Sequence, residues 1–331
     1  MPVTLKEVAL RAGVSRSAVS RTFTPGASVS KSMRARVEQA AEELGYHPNA
    51  LASSLTTGRT KMIGLVSNNF QNPFFLEVFD LFTRGLQERG LRPLLVNLTD
   101  ETDPKNSVHM LRQYSVDGVI VASSTLPPGF SRAFRDAGMP VVHSFGRHSN
   151  EPNVNIVGID NIECGRIAAR ELIRRKHKHV AFMGGPETAT STQDRMEGFC
   201  SEIAKNPGIT CGCSFADDYT FQAGRKEMQR LLQVGPAEAY FCGDDILSIG
   251  ALSAITDAGL SVPDQIGIIG LNDMEMAGWE SNNLTTIHQP IAGMINASID
   301  KIVNTLENPE QPPEAQLFQC HVVQRGTLRD P

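Results

Sequence analysis

The sequence predicts a small all-α helix-turn-helix headpiece followed by an α/β body of two doubly wound lobes. Three observations carry that expectation. The 331 residues exceed what one compact core holds, since domains usually run to about 100–200 residues. Charge is unevenly divided: residues 1–61 hold nine Lys and Arg against four Asp and Glu, while the acidic remainder brings the whole chain to a net charge of −5. Such asymmetry suits a polyanion-binding head on a solubilising body. From Met62 onward the texture changes to short apolar runs alternating with amphipathic stretches.

Residues 1–48 read as three helices around one core. Thr4-Leu5-Lys6-Glu7 has the form of a capping box, in which the Thr hydroxyl and the Glu carboxylate satisfy free amides at a helix start. Val8, Ala9 and Ala12 give that helix an apolar face, and Gly13 supplies the left-handed residue that ends it. Ser15 caps a second helix in which Ala18 and Val19 point inward while Arg16, Ser17 and Arg21 point outward. A third helix spans about Ser32 to Leu44, with Val37, Ala40, Ala41 and Leu44 on one face and Gly45 closing it. Two short helices joined by a glycine-containing turn form a helix-turn-helix, whose second helix would enter the major groove of DNA. Arg16 and Arg21 suit guanine O6 and N7, and Ser17 can donate or accept. On spacing alone, a plain helical hairpin with solvated arginines fits equally well.

The order of the motifs separates the two readings. Thr4-Leu5-Lys6-Glu7-Val8-Ala9, Ala12-Gly13-Val14-Ser15, Val19-Ser20-Arg21 and Glu43-Leu44-Gly45-Tyr46-His47-Pro48-Asn49-Ala50 resemble the headpiece of the lactose-repressor (LacI/GalR) family. The resemblance implies that Arg16, Ser17, Ala18 and Arg21, beside Ser15, read an operator, and that Thr4, Ser20 and Ser30 meet phosphates. Residues 49–60 are similar to the family's hinge, a short helix that forms on operator DNA in the minor groove. There Asn49 and Ala52 would contact DNA, and small Ala52, Ser53 and Ser54 would let the helix sit deep. Leu55 takes the place of the family's leucine lever, an apolar wedge that unstacks a base step and kinks the duplex at a cost of a few kcal/mol. The alternative for Leu55 is docking on the body.

Residues 61–331 form the body. Strands are expected at Met62–Val66, Pro93–Asn97, Gly118–Ala122, Val141–Phe145, Ile156–Ile159, Val180–Met183, Ala239–Cys242 and Ile266–Leu271. Helical patterns between them include Phe74–Arg89, Cys164–Lys176, Thr192–Lys205, Phe221–Leu232 and Ile246–Ala258. Alternation of strand and helix implies parallel sheets with right-handed crossovers, and this many strands suits two sheets better than one. Ligands in such sheets bind beyond the carboxyl ends of the strands, so a cleft between the lobes is the expected site.

Ile63-Gly64-Leu65-Val66, Val116-Asp117-Gly118-Val119-Ile120, Pro140-Val141-Val142, Arg195-Met196-Glu197-Gly198-Phe199 and Leu284-Thr285-Thr286-Ile287-His288-Gln289-Pro290 look like the same family's periplasmic-binding-protein-like core. By that likeness lobe 1 takes about 61–160 plus 290–320 and lobe 2 about 161–289 plus 321–331, with crossings near Asp160, Gln289 and Cys320. It also implies an effector cleft. Arg195 matches an arginine that contacts ligand in many members and could fork onto hydroxyls or a carboxylate. Tyr219 falls where an aromatic often stacks on the ligand. Asn72, Phe74 and Phe75 match the loop after the first strand, and Phe145, Arg147, Asp160 and Asp244 follow later strands. Asn272 departs from the pattern, standing where sugar- and purine-binding members usually carry Asp; its amide can still bridge hydroxyls. Core packing is the alternative for the apolar members of this set, and a solvated loop for the polar ones.

Three other functions compete with this reading. An enzyme is opposed by the chemistry: there is no Gly-x-Gly-x-x-Gly after a strand, no phosphate loop, no Gly-x-Ser-x-Gly elbow and no clustering of metal ligands. His143, His148, His177, His179, His288 and His321 are dispersed or lie in basic surface runs. The six cysteines show no Cys-x-x-Cys spacing and read as buried free thiols, with Cys211-Gly-Cys213 the one close pair, where a metal or redox role is the minor alternative. No cofactor or metal is therefore expected. A free-standing solute-binding protein is opposed by the basic head and by an N-terminus without the form of a secretory signal, so a cytoplasmic location is expected. No apolar stretch is long enough to cross a bilayer, and no membrane partner is expected. A DNA-binding protein without a ligand is opposed only by the polar cleft residues. The expected function is thus a DNA-binding regulator, a homodimer on a near-palindromic double-stranded operator; the resemblance implies a repressor controlled by a carbohydrate or polyol in the cleft. The tail after Cys320 has no heptad repeat, which favours a dimer over a tetramer.

Overall fold

A computed structural model describes residues 3–24, 26–47, 54, 58–98 and 103–331. The chain divides into two units, Met1–Lys61 and Met62–Pro331.

In the first unit α1 (Leu5–Ala12), α2 (Arg16–Thr22) and α3 (Lys31–Leu44) enclose a small core of Val8, Ala9, Val19, Val37, Ala40 and Ala41. Glu7 Oε2 accepts from Thr4 N at 2.6 Å and from Thr4 Oγ1 at 2.8 Å. Gly13 and Gly45 end α1 and α3 at φ 65°, a left-handed conformation that glycine adopts without a Cβ penalty. Ser15 and Ser30 cap α2 and α3 through the amides of Ala18 and Met33. Arg34 Nη1 donates to the Thr22 carbonyl at 2.7 Å, and Arg11 pairs with Glu43, so α3 is tied to both other helices.

The second unit contains two six-stranded sheets. The first is built from β1 (Met62–Ser67), β2 (Arg92–Asn97), β3 (Gly118–Ala122), β4 (Val141–Ser144), β5 (Asn155–Ile159) and β11 (Ala315–Phe318), in the order β11-β5-β4-β3-β1-β2, all parallel. The second has the order β12-β10-β9-β8-β6-β7, from β6 (His179–Gly184), β7 (Thr210–Phe215), β8 (Ala239–Cys242), β9 (Gly267–Asn272), β10 (Thr286–His288) and β12 (His321–Val323), and only β12 is antiparallel. Both sheets therefore reverse direction beside their first strand, at β1/β3 and at β6/β8, which are the switch points where doubly wound sheets bind ligands. The chain passes between the sheets after Ile159, after His288 and after Phe318.

Helices cover both sheets: α4 (Phe74–Glu88), α5 (Pro104–Gln113), α6 (Pro128–Asp136), α7 (Asn161–Arg174), α8 (Thr190–Ile203), α9 (Phe221–Val234), α10 (Asp245–Asp257) and α11 (Ile291–Glu307). Parallel strands covered on both faces should read as continuous apolar runs, and β3 (Gly-Val-Ile-Val-Ala) and β8 (Ala-Tyr-Phe-Cys) are buried at every residue. The α7–α8 pair crosses closely. A Cβ on Gly165 would strike the Arg195 carbonyl, and one on Gly198 the Ile162 carbonyl. Among the described residues no helix is long and apolar enough to cross a membrane.

Candidate functional site

The outward face of α2 holds Arg16, Ser17, Ser20 and Arg21, all exposed, within an arc of about 140° at 100° per residue. Val19 and Thr22 are buried on the other side and Ala18 is half-buried. Among the described residues neither Arg16 nor Arg21 has an ion-pair partner, unlike Arg11 and Arg34. Two free guanidiniums flanking two hydroxyls are donors aimed at solvent, the chemistry that base edges and phosphates accept. The hydroxyls of Thr4, Ser15 and Ser30 are exposed but also hold helix starts. Asn49, Ala52 and Leu55 lie outside the described residues.

The cleft in the second unit is built from the carboxyl ends of the strands in both sheets. A polar cavity of about 10 Å³, room for little more than one water, is lined by Asn69 and Asn72 after β1, Ser124 after β3, Phe145 after β4 and Ile159 of β5, facing Arg195, Tyr219, Asp244, Asn272 and Gln289. A wider space of about 750 Å³, lined by residues such as Gln71, Thr125, Pro186 and Asp218, adjoins it at Asn72 and Tyr219.

Within the cavity the polar groups bind one another. Asp244 caps α10 through the Ile246 amide at 2.9 Å and accepts from Asn72 Nδ2 at 3.1 Å and Asn272 Nδ2 at 3.0 Å. Burial pushes its carboxyl above the usual range, and these donors together with Arg195 oppose the shift. Arg195 donates from Nε to Asn161 Oδ1 at 2.8 Å and from Nη1 to the Gly243 carbonyl at 2.5 Å. The Tyr219 hydroxyl meets Thr192 Oγ1 at 2.6 Å. Gln289 donates to Asn272, and its Oε1 is buried with no hydrogen-bond partner among the described residues. A buried acceptor left unpaired costs about 1–3 kcal/mol, so this oxygen marks where the cavity asks for a donor.

Phe74, Phe75 and Phe145 form the apolar wall, with Phe74 and Phe145 ring centres 5.8 Å apart, edge to face. Phe145, the residue after β4, and Asn272, the last of β9, have φ 65° and 129°. Non-glycine residues held in that region store strain of about 1–3 kcal/mol each, which persists where function or packing fixes it. The lobes also touch where Thr190 Oγ1 donates to the Ser124 carbonyl at 3.1 Å and where Arg147 pairs with Asp194.

Eight of the ten residues expected in the cleft line this cavity: Asn72, Phe74, Phe75, Phe145, Arg195, Tyr219, Asp244 and Asn272. The other two have different placements. Arg147 is engaged by Asp194 at the lobe margin, and Asp160 caps α7 by accepting from the Glu163 amide at 3.0 Å. The sequence reading missed Asn69, Ser124, Ile159, Asn161 and Gln289, each at the carboxyl end of a strand or one turn beyond it. Two further expectations need correction. Cys211 and Cys213 are exposed rather than buried, because β7 is the outer strand of its sheet. His143 and His177 are buried despite the polar or basic residues around them in sequence, and burial pushes both down to about 4.

Residues 4–49 match the family of bacterial regulatory proteins of lacI type, and residues 169–328 match a periplasmic binding protein-like domain. The HTH-type transcriptional repressor PurR of Proteus mirabilis is 31% identical over 341 residues, covering 99% of this chain and 97% of the relative. The chain belongs to the LacI family. As a LacI-family protein it is a DNA-binding regulator and not an enzyme. Among solved structures, the lac repressor dimer bound to operator and the anti-inducer ONPF shares its fold at a TM-score of 0.89 and 24% identity, covering 99% of this chain and all of that one. A complex of the transcriptional regulator CelR with cellobiose superposes at 0.73 with 28% identity, covering 98% and 99%.

Proposed function

We propose that this LacI-family regulator is a repressor that binds a near-palindromic operator as a homodimer and answers to a carbohydrate or polyol held between the lobes. On this reading residues 1–48 are the headpiece, 49–60 the hinge, and 61–331 the sensor and dimerisation body, acting on DNA in the cytoplasm. The observation that carries it is Gln289 Oε1, a buried unpaired acceptor in a cavity whose other groups are amides, a carboxylate and a guanidinium. Asn72, Asn272 and Gln289 can each donate and accept, as vicinal hydroxyls require. Phe74, Phe145 and Tyr219 offer the apolar faces that a sugar ring covers. CelR, whose complex contains cellobiose, has the same fold. Arg16, Ser17, Ala18 and Arg21 read the bases, with Thr4, Ser15, Ser20 and Ser30 on the backbone and Leu55 wedging the minor groove.

The cavity is too small for a sugar, so the effector takes the place of the Asn72–Asp244 contact and binds an arrangement in which the lobes stand further apart. Its differential affinity for that arrangement sets the shift in DNA binding. The test is thermal stability of the purified chain against sugars, polyols, sugar phosphates and nucleobases, since a ligand of the folded state raises the melting temperature. A sugar or polyol hit that Arg195→Ala removes supports the proposal. A nucleobase hit with the same loss keeps the site and replaces the ligand class, and a panel without any hit refutes the ligand proposal.

A further inference from the structure

The second unit contains a cluster of side chains that the cleft does not use. Cys200 lies near the carboxyl end of α8, and Cys211 and Cys213 lie two residues apart on β7, so they share one face of that strand. Cys200 Sγ is 3.6 Å from Cys211 Sγ and 3.3 Å from Cys213 Sγ, and all three sulfurs lie within 4.8 Å of one another. Among the described residues this is the one group of three or more His, Cys, Asp or Glu side chains that converges in this way.

We propose that Cys200, Cys211 and Cys213 form a binding site for one thiophilic d10 cation, Zn(II) or Cu(I). Thiolate sulfur lies about 2.3 Å from zinc, so three sulfurs around one such ion stand about 4 Å apart. The separations already present are close to that and need only small rotations about the Cys side-chain bonds. A disulfide would draw two sulfurs to about 2.05 Å and leave the third unused. Soft thiolate ligands select Cu(I) and Zn(II) over hard cations. Three protein ligands suffice for trigonal Cu(I), and for tetrahedral Zn(II) they leave one position to water. Cys211 and Cys213 are exposed, so an ion enters without any unfolding. On loading, three metal–sulfur bonds form as the thiols release their protons to solvent, which makes affinity rise with pH.

The position gives the site a consequence. Among the described strands β7 pairs only with β6, and the ion would fasten it to α8, which packs across β6 and β7. Arg195 lies five residues before Cys200 on α8, and the chain leaving β7 leads to Tyr219. Metal loading would therefore stiffen two elements that form the second lobe's wall of the cleft.

The experiment uses the full chain, reduced with a phosphine and stripped with a chelator. Zn(II) is titrated against a chromophoric competitor and Cu(I) against bathocuproine disulfonate, with native mass spectrometry for stoichiometry. One ion per chain is expected, by either titration. Ligand-supporting groups alone are worth about 10–100-fold in affinity, so loss of a ligand in Cys200→Ser, Cys211→Ser or Cys213→Ser should weaken binding by roughly a hundredfold or more. Cys320→Ser, outside the cluster, should leave it unchanged. Two results overturn the proposal: no stoichiometric uptake by the reduced wild type, including the case where air oxidation instead links two of the three cysteines, or full affinity retained in Cys213→Ser. If Cys200→Ser fails to fold, wild-type stoichiometry and the variants at the two exposed positions decide.

Discussion

Asn72 Nδ2 donates to Asp244 Oδ2 at 3.1 Å, a hydrogen bond that joins the loop after β1 in one lobe to the cap of α10 in the other. Both residues are buried, at 3% and 5% exposure, so a carboxylate that loses this donor is left in a setting where an unpaired polar group is costly. Asn72→Ala removes a donor from a buried carboxylate and should cost about 1–3 kcal/mol. The same change loosens the closed cleft, and small-angle scattering should show a larger radius of gyration than wild type. An unchanged melting temperature and radius would show that the lobes are held elsewhere, at Ser124 and Arg147.

Arg195 addresses two partners from one fork, Asn161 Oδ1 and the Gly243 carbonyl. A lysine ammonium lacks that planar fork, so Arg195→Lys should fail to restore what Arg195→Ala loses. Both variants are expected to lose effector-induced change in DNA affinity while keeping the ligand-free affinity within about threefold, as an arginine outside the helix-turn-helix unit should. Fluorescence anisotropy on operator DNA with and without effector checks this. Retained response in Arg195→Lys would mean that charge alone suffices.

A Cβ on Gly198 would strike the Ile162 carbonyl where α7 and α8 cross, and that obstacle is backbone rather than a movable side-chain end. Gly198→Ala should force the helices apart at about 1–3 kcal/mol, the usual cost of overpacking. Since α8 carries Arg195, effector affinity should fall with stability in calorimetric titration.

These particulars show where sequence reading succeeds and where it fails. Helix starts were legible because Thr4-x-x-Glu7, Ser15 and Ser30 are local chemistry, and β3 and β8 because parallel buried strands are continuous apolar runs. β7 was missed, since Thr-Cys-Gly-Cys-Ser-Phe on an outer strand leaves most residues exposed or half-buried and shows no apolar run. Asn161 and Gln289 were missed for a different reason. They reach the cavity through the geometry of strand ends in two sheets, which no spacing within one segment records. Asp160 looked like a cleft residue, yet its carboxylate is spent on the first turn of α7. Cys200 is eleven residues from Cys211, outside any metal-binding spacing, and only the packing of α8 beside β7 joins them.

Acid should act through buried histidine. Burial holds His143 down at about 4, below an ordinary value of 6.5, with Nε2 3.0 Å from the Ser123 carbonyl. Between those values the unfolded chain binds the extra proton, so the contribution is full above pH 6.5 and is lost as pH falls toward 4. Asp245, raised to about 7 by burial, acts oppositely: its contribution falls as pH rises from about 4 to 7. The informative quantity is therefore a difference between variants. His143→Gln keeps a donor for Ser123 and should flatten the loss of stability on acidification by roughly 2 kcal/mol between pH 7 and pH 5, read by urea unfolding at those two values. Equal pH dependence in wild type and variant would mean that His143 is protonated in the folded chain.

Selection of bound sequences from a random duplex library with the purified full chain shows whether the protein is a ligand-responsive DNA reader. The expected result is enrichment of one near-palindromic site, a loss of base preference in Arg21→Ala costing about 1–3 kcal/mol at one position of each half-site, and release or tightening by the effector in wild type but not in Arg195→Ala. Equal retention of all sequences, or a preferred site that survives replacement of both Arg16 and Arg21 by alanine, would contradict it.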